Sequence, residues 1–330
     1  MTVSRRASRE GSGALALAVD VGATKTLITV RPLEALRSSD TPWASRMPTR
    51  RLPTPADPED LVRAIDGLSR KLATDVDGTV VTAGLVAPGP LDSRTGTIAH
   101  SPNLGWHDVP IGTMLREVLN VPVGVDDDAT AAALGESRFG SGRGADPFAY
   151  LTLSSGVGAG IVLGGDVVRG AHGIAGEVGH LVIDPTGPRC RCGRRGDVES
   201  YAGGASLARR AKRAWPSARL ADGSPAPRDA AEVFEAARAG ERSAVAMFDE
   251  ATRAVALALA ALAATIDPET IAIGGALGMA QPRLVRKATA MARRCVMGET
   301  ARALVVRPAS LGHESCLAGA AVLALRHAVR

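Results

Sequence analysis

Aromatic residues are scarce in this sequence: four Phe, three Trp and two Tyr make up 3% of its 330 residues. A core built without them has to rely on Ala, Val, Leu and Ile. Dense runs of Lys and Arg interleaved with aromatic residues, which are typical of nucleic-acid binding, are also missing, although the net charge is +5. We therefore read the excess charge as a solvated basic surface and expect no nucleic-acid partner.

Cysteines are few, and long apolar runs are absent. The four cysteines (Cys190, Cys192, Cys295 and Cys316) are too few and too unevenly spaced for the disulfide framework of a secreted protein. The first 22 residues contain no signal-peptide core with a cleavage site, and no window has the length of a membrane span. These absences predict a cytoplasmic protein with reduced thiols and no membrane association.

A strand–turn–strand pattern occurs twice. The apolar run LALAVDVG (15–22) is followed by a glycine-bearing turn and by TLITV (26–30), which predicts a β-hairpin. The segment AYLTLSSGVGAGIVLGGDVV (149–168) repeats the pattern, so that Asp20-x-Gly22-x-Thr24 aligns with Ser154-x-Gly156-x-Gly158. The repeat indicates a duplication into two similar domains. Strands that alternate with helical segments, such as 58–73 and 242–265, predict an α/β fold with mixed sheets.

The two glycine turns offer open backbone N–H groups and small hydroxyls, which suit phosphate oxygens. Asp20, next to the first turn, could hold Mg²⁺ directly or through water. Two ordinary hairpins would explain either turn taken alone. SGVGAG is a poor dinucleotide fingerprint, because a strand and not a helix is predicted after it.

Three consecutive aspartates stand in VDDDAT (125–130), between a predicted strand and a predicted helix (128–140). Phosphoryl transfer to an alcohol needs a base held close to the hydroxyl, and such a junction is rigid. Taken alone, the pattern favours a helix cap with two solvated acids.

Six motifs, in this order, resemble the ROK family of bacterial sugar kinases and related repressors. They are VDVGATKT (19–26), VAPGPLD (86–92), SPNLGW (101–106), DDDATAAALGE (126–136), GIAGEVGH with CRCGRRGDVE (173–199), and DPETIAIGGAL (267–277). The resemblance runs from Asp20 to the last predicted helix.

The resemblance implies an α/β fold of the duplicated actin-like ATPase (ribonuclease H-like) type, with two domains of mixed sheets flanked by helices and a cleft between them. It places a loose tail at 1–13 and a smaller N-terminal domain at 14–126 plus 314–330. A larger C-terminal domain is expected at 127–313, with a zinc-type loop at 180–199. The family also implies a homodimer or a homotetramer.

Site residues follow from the same resemblance. Asp128 is expected to be the general base. The sugar hydroxyls are expected to bind Gly89, Asp127, Asp128, Glu177, His180 and Glu199. Phosphates, Mg²⁺ and the adenosine of ATP are expected to lie against Asp20, Gly22, Thr24, Lys25, Ser155, Gly156, Gly158, Gly274 and Gly275.

Two positions depart from the family pattern. Asp127 stands where most members have Asn, and two adjacent carboxylates should raise the pKa of at least one of them. Asp197 stands where the family's third zinc-binding cysteine is expected, after His180, Cys190 and Cys192. Zinc accepts carboxylate oxygen, so a His-Cys₂-Asp site is reasonable. A lost metal site and a strained Cys190–Cys192 disulfide are the alternatives.

The family contains more than one function. An ATP-dependent sugar kinase is the first hypothesis, with glucose phosphorylated on its 6-hydroxyl as the default. Because of Asp127, a modified sugar is the alternative substrate: an N-acylhexosamine, a ketohexose or a carbocyclic analogue. About a dozen residues precede the first strand, too few for a repressor's helix-turn-helix. A non-catalytic sugar sensor is disfavoured because Asp20, Asp128 and both glycine turns are retained.

Overall fold

The computed structural model describes residues 13–38, 41–43, 47–92, 94–101, 103–220 and 223–328. The expected loose tail therefore lies outside the described residues, except for Gly13. The contacts divide the chain into two compact units. Unit 1 comprises Met1–Arg143, Arg169–Ala175 and Glu314–Arg330, and unit 2 comprises Gly144–Val168 and Gly176–His313.

The strands alternate with helices along the chain, as the sequence predicted. The strands are β1 (Ala14–Val21), β2 (Lys25–Pro32), β3 (Thr49–Pro53), β4 (Thr79–Val86), β5 (Leu91–Asp92), β6 (Thr97–Ser101), β7 (Trp106–Val109), β8 (Val123–Asp126), β9 (Phe148–Leu153), β10 (Val157–Leu163), β11 (Asp166–Val167), β12 (Thr270–Gly274) and β13 (Val306–Pro308). The helices are α1 (Leu33–Arg37), α2 (Pro58–Asp75), α3 (Ile111–Leu119), α4 (Asp128–Phe139), α5 (Val198–Ala202), α6 (Gly204–Ala214), α7 (Ala230–Arg238), α8 (Arg242–Ile266), α9 (Gly275–Ala280), α10 (Pro282–Cys295), α11 (Gly298–Ala303) and α12 (Ser315–Ala328).

Each unit contains one five-stranded mixed sheet, and the two sheets have equivalent topology. The strand order is β3-β2-β1-β4-β8 in unit 1 and β11-β10-β9-β12-β13 in unit 2. In both, a hairpin pairs antiparallel strands and the last two strands run parallel to the first. The duplication predicted from the repeated pattern is confirmed. A small three-stranded sheet, β5-β6-β7, completes unit 1.

Glycine and alanine allow very close packing around α4. A Cβ atom built on Gly319 of α12 would lie 1.8 Å from the carbonyl oxygen of Ala131, and one built on Gly135 of α4 would lie 2.3 Å from that of Ser315. The buried Glu136 carboxylate accepts a hydrogen bond from the Ser315 hydroxyl at 2.8 Å. Because the helices touch backbone to backbone, the N-terminus of α4 is rigidly placed.

The same packing sets the boundary between the units. The sequence placed this boundary after residue 126, whereas the contacts group α4 with unit 1, because α4 packs against α12. Residues 169–175 also belong to unit 1, although the chain on either side of them belongs to unit 2. Among the described residues, no helix combines the length and the apolar character needed to cross a bilayer.

Candidate active site and metal centre

Asp20 lies near the end of β1, directly before the first glycine turn. The turn is closed by a hydrogen bond from the Gly22 N–H to the Lys25 carbonyl at 2.9 Å, and the Thr54 hydroxyl donates to the Gly22 carbonyl at 2.7 Å. Burial raises the pKa of Asp20 to about 6, against the opposing charge of Lys25. Thr24 and Lys25 are exposed beside it. The turn thus presents backbone, a hydroxyl, an amine and one carboxylate.

The three consecutive aspartates have three different roles at the junction of β8 and α4. Asp126 is buried, and its Oδ1 accepts the N–H of Asp127 at 3.1 Å. Asp127 is the N-cap of α4: its Oδ1 accepts the Thr130 N–H at 2.9 Å. Asp128 is the first helical residue and keeps an exposed face. The cap that sequence reasoning offered as an alternative is therefore present, and it is made by Asp127.

The Asp128 carboxyl is the group here whose proton affinity suits a base at neutral pH. Loss of hydration raises its pKa to about 7, and repulsion from the charges of Asp127 and Asp20 adds to this rise. The N–H of Ala129 donates to its Oδ1 at 2.9 Å and opposes the shift. The structure thus brings Asp20, Asp127 and Asp128 together in unit 1, as carboxylates that repel one another.

Two neighbours of this cluster were missed by sequence reasoning. The Arg169 guanidinium pairs with the Asp126 carboxylate. Burial raises the pKa of Asp126 to about 6, although the positive charge of Arg169 lowers it. The Cys316 thiol, in the first turn of α12, lies 3.5 Å from the Asp128 carbonyl oxygen. A buried acid at the end of a strand needs a cation or several donors, which was the available signal for Arg169. No comparable signal pointed to Cys316.

Gly89, predicted to face the sugar, follows β4 with φ +124°, a conformation that favours glycine. A Cβ atom there would lie 2.4 Å from the carbonyl oxygen of His100 in β6. Glycine is therefore required twice, by its dihedral angle and by its close approach to the three-stranded sheet.

In unit 2, the second glycine turn joins β9 to β10 and is fastened to α6. The Ser154 and Ser155 carbonyls accept the N–H groups of Gly204 and Ala205, each at 2.9 Å. The Glu199 Oε2 accepts the Val157 N–H at 3.0 Å and would lie 2.5 Å from a Cβ built on Gly156. The structure therefore brings one predicted sugar-binding residue, Glu199, against the predicted phosphate turn.

The adenosine-side glycines close the end of the neighbouring strand. Gly274 ends β12 opposite Thr152, and Gly275 begins α9 with φ +77°. A Cβ atom on Gly275 would lie 2.4 Å from the Leu153 carbonyl oxygen. In unit 2 the strand ends thus present backbone and hydroxyl groups, and Ser154 stands at the position that the sequence pattern aligns with the Asp20 carboxylate of the first turn.

The GEVGH segment lies flat along β10 because of its two glycines. A Cβ atom would lie 2.2 Å from the Ala159 carbonyl oxygen at Gly176 and 1.9 Å from the Val157 carbonyl oxygen at Gly179. Gly176 precedes a short 3₁₀ turn, Val178–His180, and Gly179 lies within it. Glu177 is exposed, and its carboxylate lies 3.8 Å from Nε2 of His180.

His180, Cys190, Cys192 and Asp197 form one cluster, with all four potential ligand atoms within 4.8 Å of one another. The separations include 3.1 Å between His180 Nδ1 and Asp197 Oδ2, 3.4 Å between Cys192 Sγ and that oxygen, and 3.9 Å between Cys190 Sγ and His180 Nδ1. Tetrahedral zinc with ordinary bond lengths needs ligand-to-ligand distances of roughly 3.3 to 3.8 Å. The three separations lie within about 0.2 Å of this range, so the four donors could hold such an ion.

Asp197 uses its two oxygens for different partners. Oδ1 caps α5 by accepting the Ser200 N–H at 2.8 Å, and Oδ2 faces the cluster. Burial would raise the pKa of Asp197, but the donors around it, Cys190, His180 and the Ser200 N–H, hold that pKa below its usual value. All four cysteines of the chain are free thiols, so the alternative of a Cys190–Cys192 disulfide is absent.

Comparisons with known proteins agree with one another. The model of the ROK family matches residues 16–327. A glucokinase of Streptomyces coelicolor is 33% identical over 319 residues, covering 94% of this chain and 97% of the relative. The bifunctional enzyme NanE/NanK of Brucella suis is 36% identical over 316 residues, covering 93% of this chain and 53% of that enzyme. A ROK family glucokinase from Streptomyces griseus, solved in complex with glucose and AMPPNP, superposes with a TM-score of 0.72 at 32% identity, covering 94% of this chain and 99% of the other.

Proposed function

This chain belongs to the ROK family and is an ATP-dependent sugar kinase with the actin-like ATPase fold, and we propose that it phosphorylates glucose on the 6-hydroxyl. The glucokinase relatives match almost their whole length, and the structural neighbour at 32% identity binds glucose with an ATP analogue. The single observation that carries the mechanism is the Asp128 carboxyl, placed at the start of α4 with a pKa of about 7.

Asp128 acts as the base in this proposal. Its carboxylate accepts the proton of the sugar hydroxyl as the oxygen attacks the γ-phosphorus of ATP and the bond to the β-phosphate breaks. A pKa near 7 makes the ionised form available at neutral pH while keeping it a better proton acceptor than an ordinary aspartate. Asp126 and Asp127 hold the backbone on the N-terminal side of Asp128, so that the base is rigidly placed.

Sugar recognition is assigned to acceptors and to one imidazole. Adjacent hydroxyls of a sugar are donors, and carboxylates accept two of them at once. We assign this task to Gly89, Asp127, Asp128, Glu177, His180 and Glu199. Glu199 Oε2 already accepts the Val157 N–H, and Oε1 lies 3.9 Å from the Cys190 Sγ, so Oε1 is the oxygen left for the sugar when that thiol binds the metal ion.

The glycine turns are assigned to ATP and its metal ion. In unit 1, Asp20 would hold Mg²⁺, and Gly22, Thr24 and Lys25 would approach phosphate oxygens. In unit 2, Ser155, Gly156 and Gly158 would do the same, and Gly274 and Gly275 would lie by the adenosine. Bound Mg²⁺ would neutralise phosphate charge. The protein would position the Asp20 carboxylate and the open backbone N–H groups.

We further propose one structural Zn²⁺ per chain, held by His180, Cys190, Cys192 and Asp197. The fit of the donor set to tetrahedral zinc supports this, as does the low proton affinity of Asp197. The ion would fix the loop that carries Glu199 and orient His180 through Nδ1, leaving Nε2 on the side of Glu177. The free thiols are consistent with a protein that functions in a reducing cytoplasm.

A second candidate is a kinase of an N-acylhexosamine or another modified sugar. Asp127 in place of the family's Asn favours it, because a carboxylate only accepts hydrogen bonds. The match to NanE/NanK also shows that similarity is not confined to glucokinases.

The experiment is a coupled ADP-release assay across sugars and cyclitols, with Mg-ATP and without chelator. Glucose should give the highest kcat/KM, and a reaction without sugar measures background ATP hydrolysis. A higher kcat/KM for an N-acylhexosamine would select the second candidate, and no sugar-dependent ADP release would contradict both.

A further inference from the structure

Two exposed histidines form a pair in unit 1, within the three-stranded sheet and outside the residues assigned to sugar or ATP. His100 in β6 and His107 in β7 are directly opposite each other in the antiparallel register. Their ring centroids are 4.4 Å apart, and their Nδ1 atoms are 3.2 Å apart. Both rings are exposed, so an ion in solution can reach them.

The separation of 3.2 Å between the two nitrogens has two chemical explanations. Without a metal, one Nδ1 carries a proton and donates it to the other. With a metal, both nitrogens coordinate the same ion. Zinc–imidazole bonds of about 2.0–2.1 Å enclose an angle of about 100° at that nitrogen separation, close to the tetrahedral value. The pair thus already has the nitrogen spacing of a bidentate chelate.

The backbone keeps the pair in this arrangement. Ile98 pairs with Val109, and Ser101 pairs with Trp106, on either side of the two histidines. Trp106 and Ile98 are buried in the core of unit 1. The two Cα atoms are therefore fixed, and an ion would order only the imidazole rings, at a low entropic cost.

We propose that His100 and His107 bind a divalent transition metal ion of the Zn²⁺, Ni²⁺ or Cu²⁺ class, separately from the His180 cluster. Imidazole suits these ions, and affinity should follow the order Cu²⁺ above Ni²⁺ and Zn²⁺. Water would fill the remaining coordination positions. A bound ion would cross-link β6 to β7. The carbonyl of His100, in β6, lies close to Gly89.

The test is a titration of tag-free protein with Ni²⁺ by calorimetry, without nucleotide or sugar, so that the result does not depend on the proposed activity. The protein is first loaded with one equivalent of Zn²⁺, and a Cys192→Ser variant checks that the measured ion does not enter the His180 cluster. His100→Gln, His107→Gln and the double variant are compared with His313→Gln, which changes another exposed histidine.

A chelate predicts non-additive losses. Each single variant should lose at least about tenfold in affinity, and the double variant should lose little more, because one nitrogen alone cannot chelate. His313→Gln should bind like the wild type. Melting curves without metal confirm that each variant folds, and Ni²⁺ should raise the melting temperature only where both histidines remain.

Two results would overturn the proposal. The first is a wild type that binds no Ni²⁺ after the His180 cluster is filled. The second is a pair of single variants that each retain half of the binding, with losses that add in the double variant. Copper electron paramagnetic resonance gives an independent readout: two equatorial nitrogens are expected in the wild type and one in either single variant.

Discussion

The sheets of units 1 and 2 have equivalent topology, but the matching strand ends carry different chemistry. In unit 1, β1 ends near Asp20 and β8 ends at Asp126, both buried enough that their pKa values rise to about 6. In unit 2, the position that the repeated sequence pattern aligns with Asp20 is Ser154, and the turn after it is held by Glu199. The two sheets share one topology, and the residues at their strand ends give the first turn an acidic side chain where the second has a serine.

A second comparison concerns two aspartates with the same local role. Asp127 caps α4 and Asp197 caps α5, each through Oδ1 and the N–H three residues later. Their surroundings differ. Asp127 stands beside carboxylates, and its charge helps to raise the pKa of Asp128. Asp197 stands among donors, which lower its own pKa. The same cap therefore stands beside the proposed base in one unit and belongs to a proposed metal ligand in the other.

The largest expected effect is at Asp128. Asp128→Asn should lower kcat by about 10²–10⁴-fold, because the amide cannot take the hydroxyl proton. The fold should be retained, because the amide replaces a carboxylate that is repelled by the charges of Asp127 and Asp20. Steady-state kinetics and thermal melting measure both. Wild-type kcat in this variant would show that the base lies elsewhere.

The next largest effect concerns how kcat/KM of the wild type depends on pH. The pKa of Asp128 is raised to about 7, so the ionised base is present above that pH and is lost as the pH falls through it. The kcat/KM of the wild type should fall about tenfold per pH unit below the pKa of the free enzyme. A profile that stays flat down to pH 5 would mean that the charges around Asp128 do not control the reaction.

Substitutions at Asp197, in the proposed metal centre, should change stability and zinc affinity, a smaller effect than the loss of activity expected at Asp128. Asp197→Ala should lower zinc affinity by more than about tenfold, because even outer contacts to a metal ligand are worth that much. It should also lower the melting temperature, while Asp197→Cys should raise both. Elemental analysis and thermal melting measure these changes.

The matched control for the cap is Asp229→Ala. Asp229 caps α7 by accepting the Glu232 N–H at 2.9 Å, away from the cluster. The Asp229→Ala substitution should lower the free energy of unfolding by about 1 kcal/mol and leave the zinc content unchanged. Wild-type protein that contains no zinc, with both thiols free, would mean that the loop is held by packing alone.

The smallest expected effect is at Asp127. Asparagine is an equally good N-cap, so Asp127→Asn should change stability little. It restores an amide donor next to the base, and should shift the ratio of kcat/KM values toward glucose over an N-acylhexosamine. Asp57→Asn, at the cap of α2, is the control. An unchanged ratio would indicate that Asp127 does not contact the sugar.

The fold could be predicted because local patterns and topology agree. The repeated strand–turn–strand pattern predicted the duplication, and the resemblance to the ROK family implied the cluster of His180, Cys190, Cys192 and Asp197. Arg169 could not be assigned to Asp126, because 43 residues separate them and only the folded chain joins them. The helix predicted over 128–140 agrees with α4 within one residue. The grouping of α4 with unit 1 depends on its packing against α12, which no local pattern reveals.

The measurement that tests the central proposal most directly is the product of one reaction. Wild-type protein is incubated with Mg-ATP and glucose, and the product is analysed by ³¹P–¹H correlation NMR, with Asp128→Asn in parallel. We expect ADP and a phosphate monoester coupled to the two protons on carbon 6 in the wild type, and neither product above background in the variant. ADP with free inorganic phosphate alone, or a phosphate on another carbon, would contradict phosphorylation of the 6-hydroxyl by a base at Asp128.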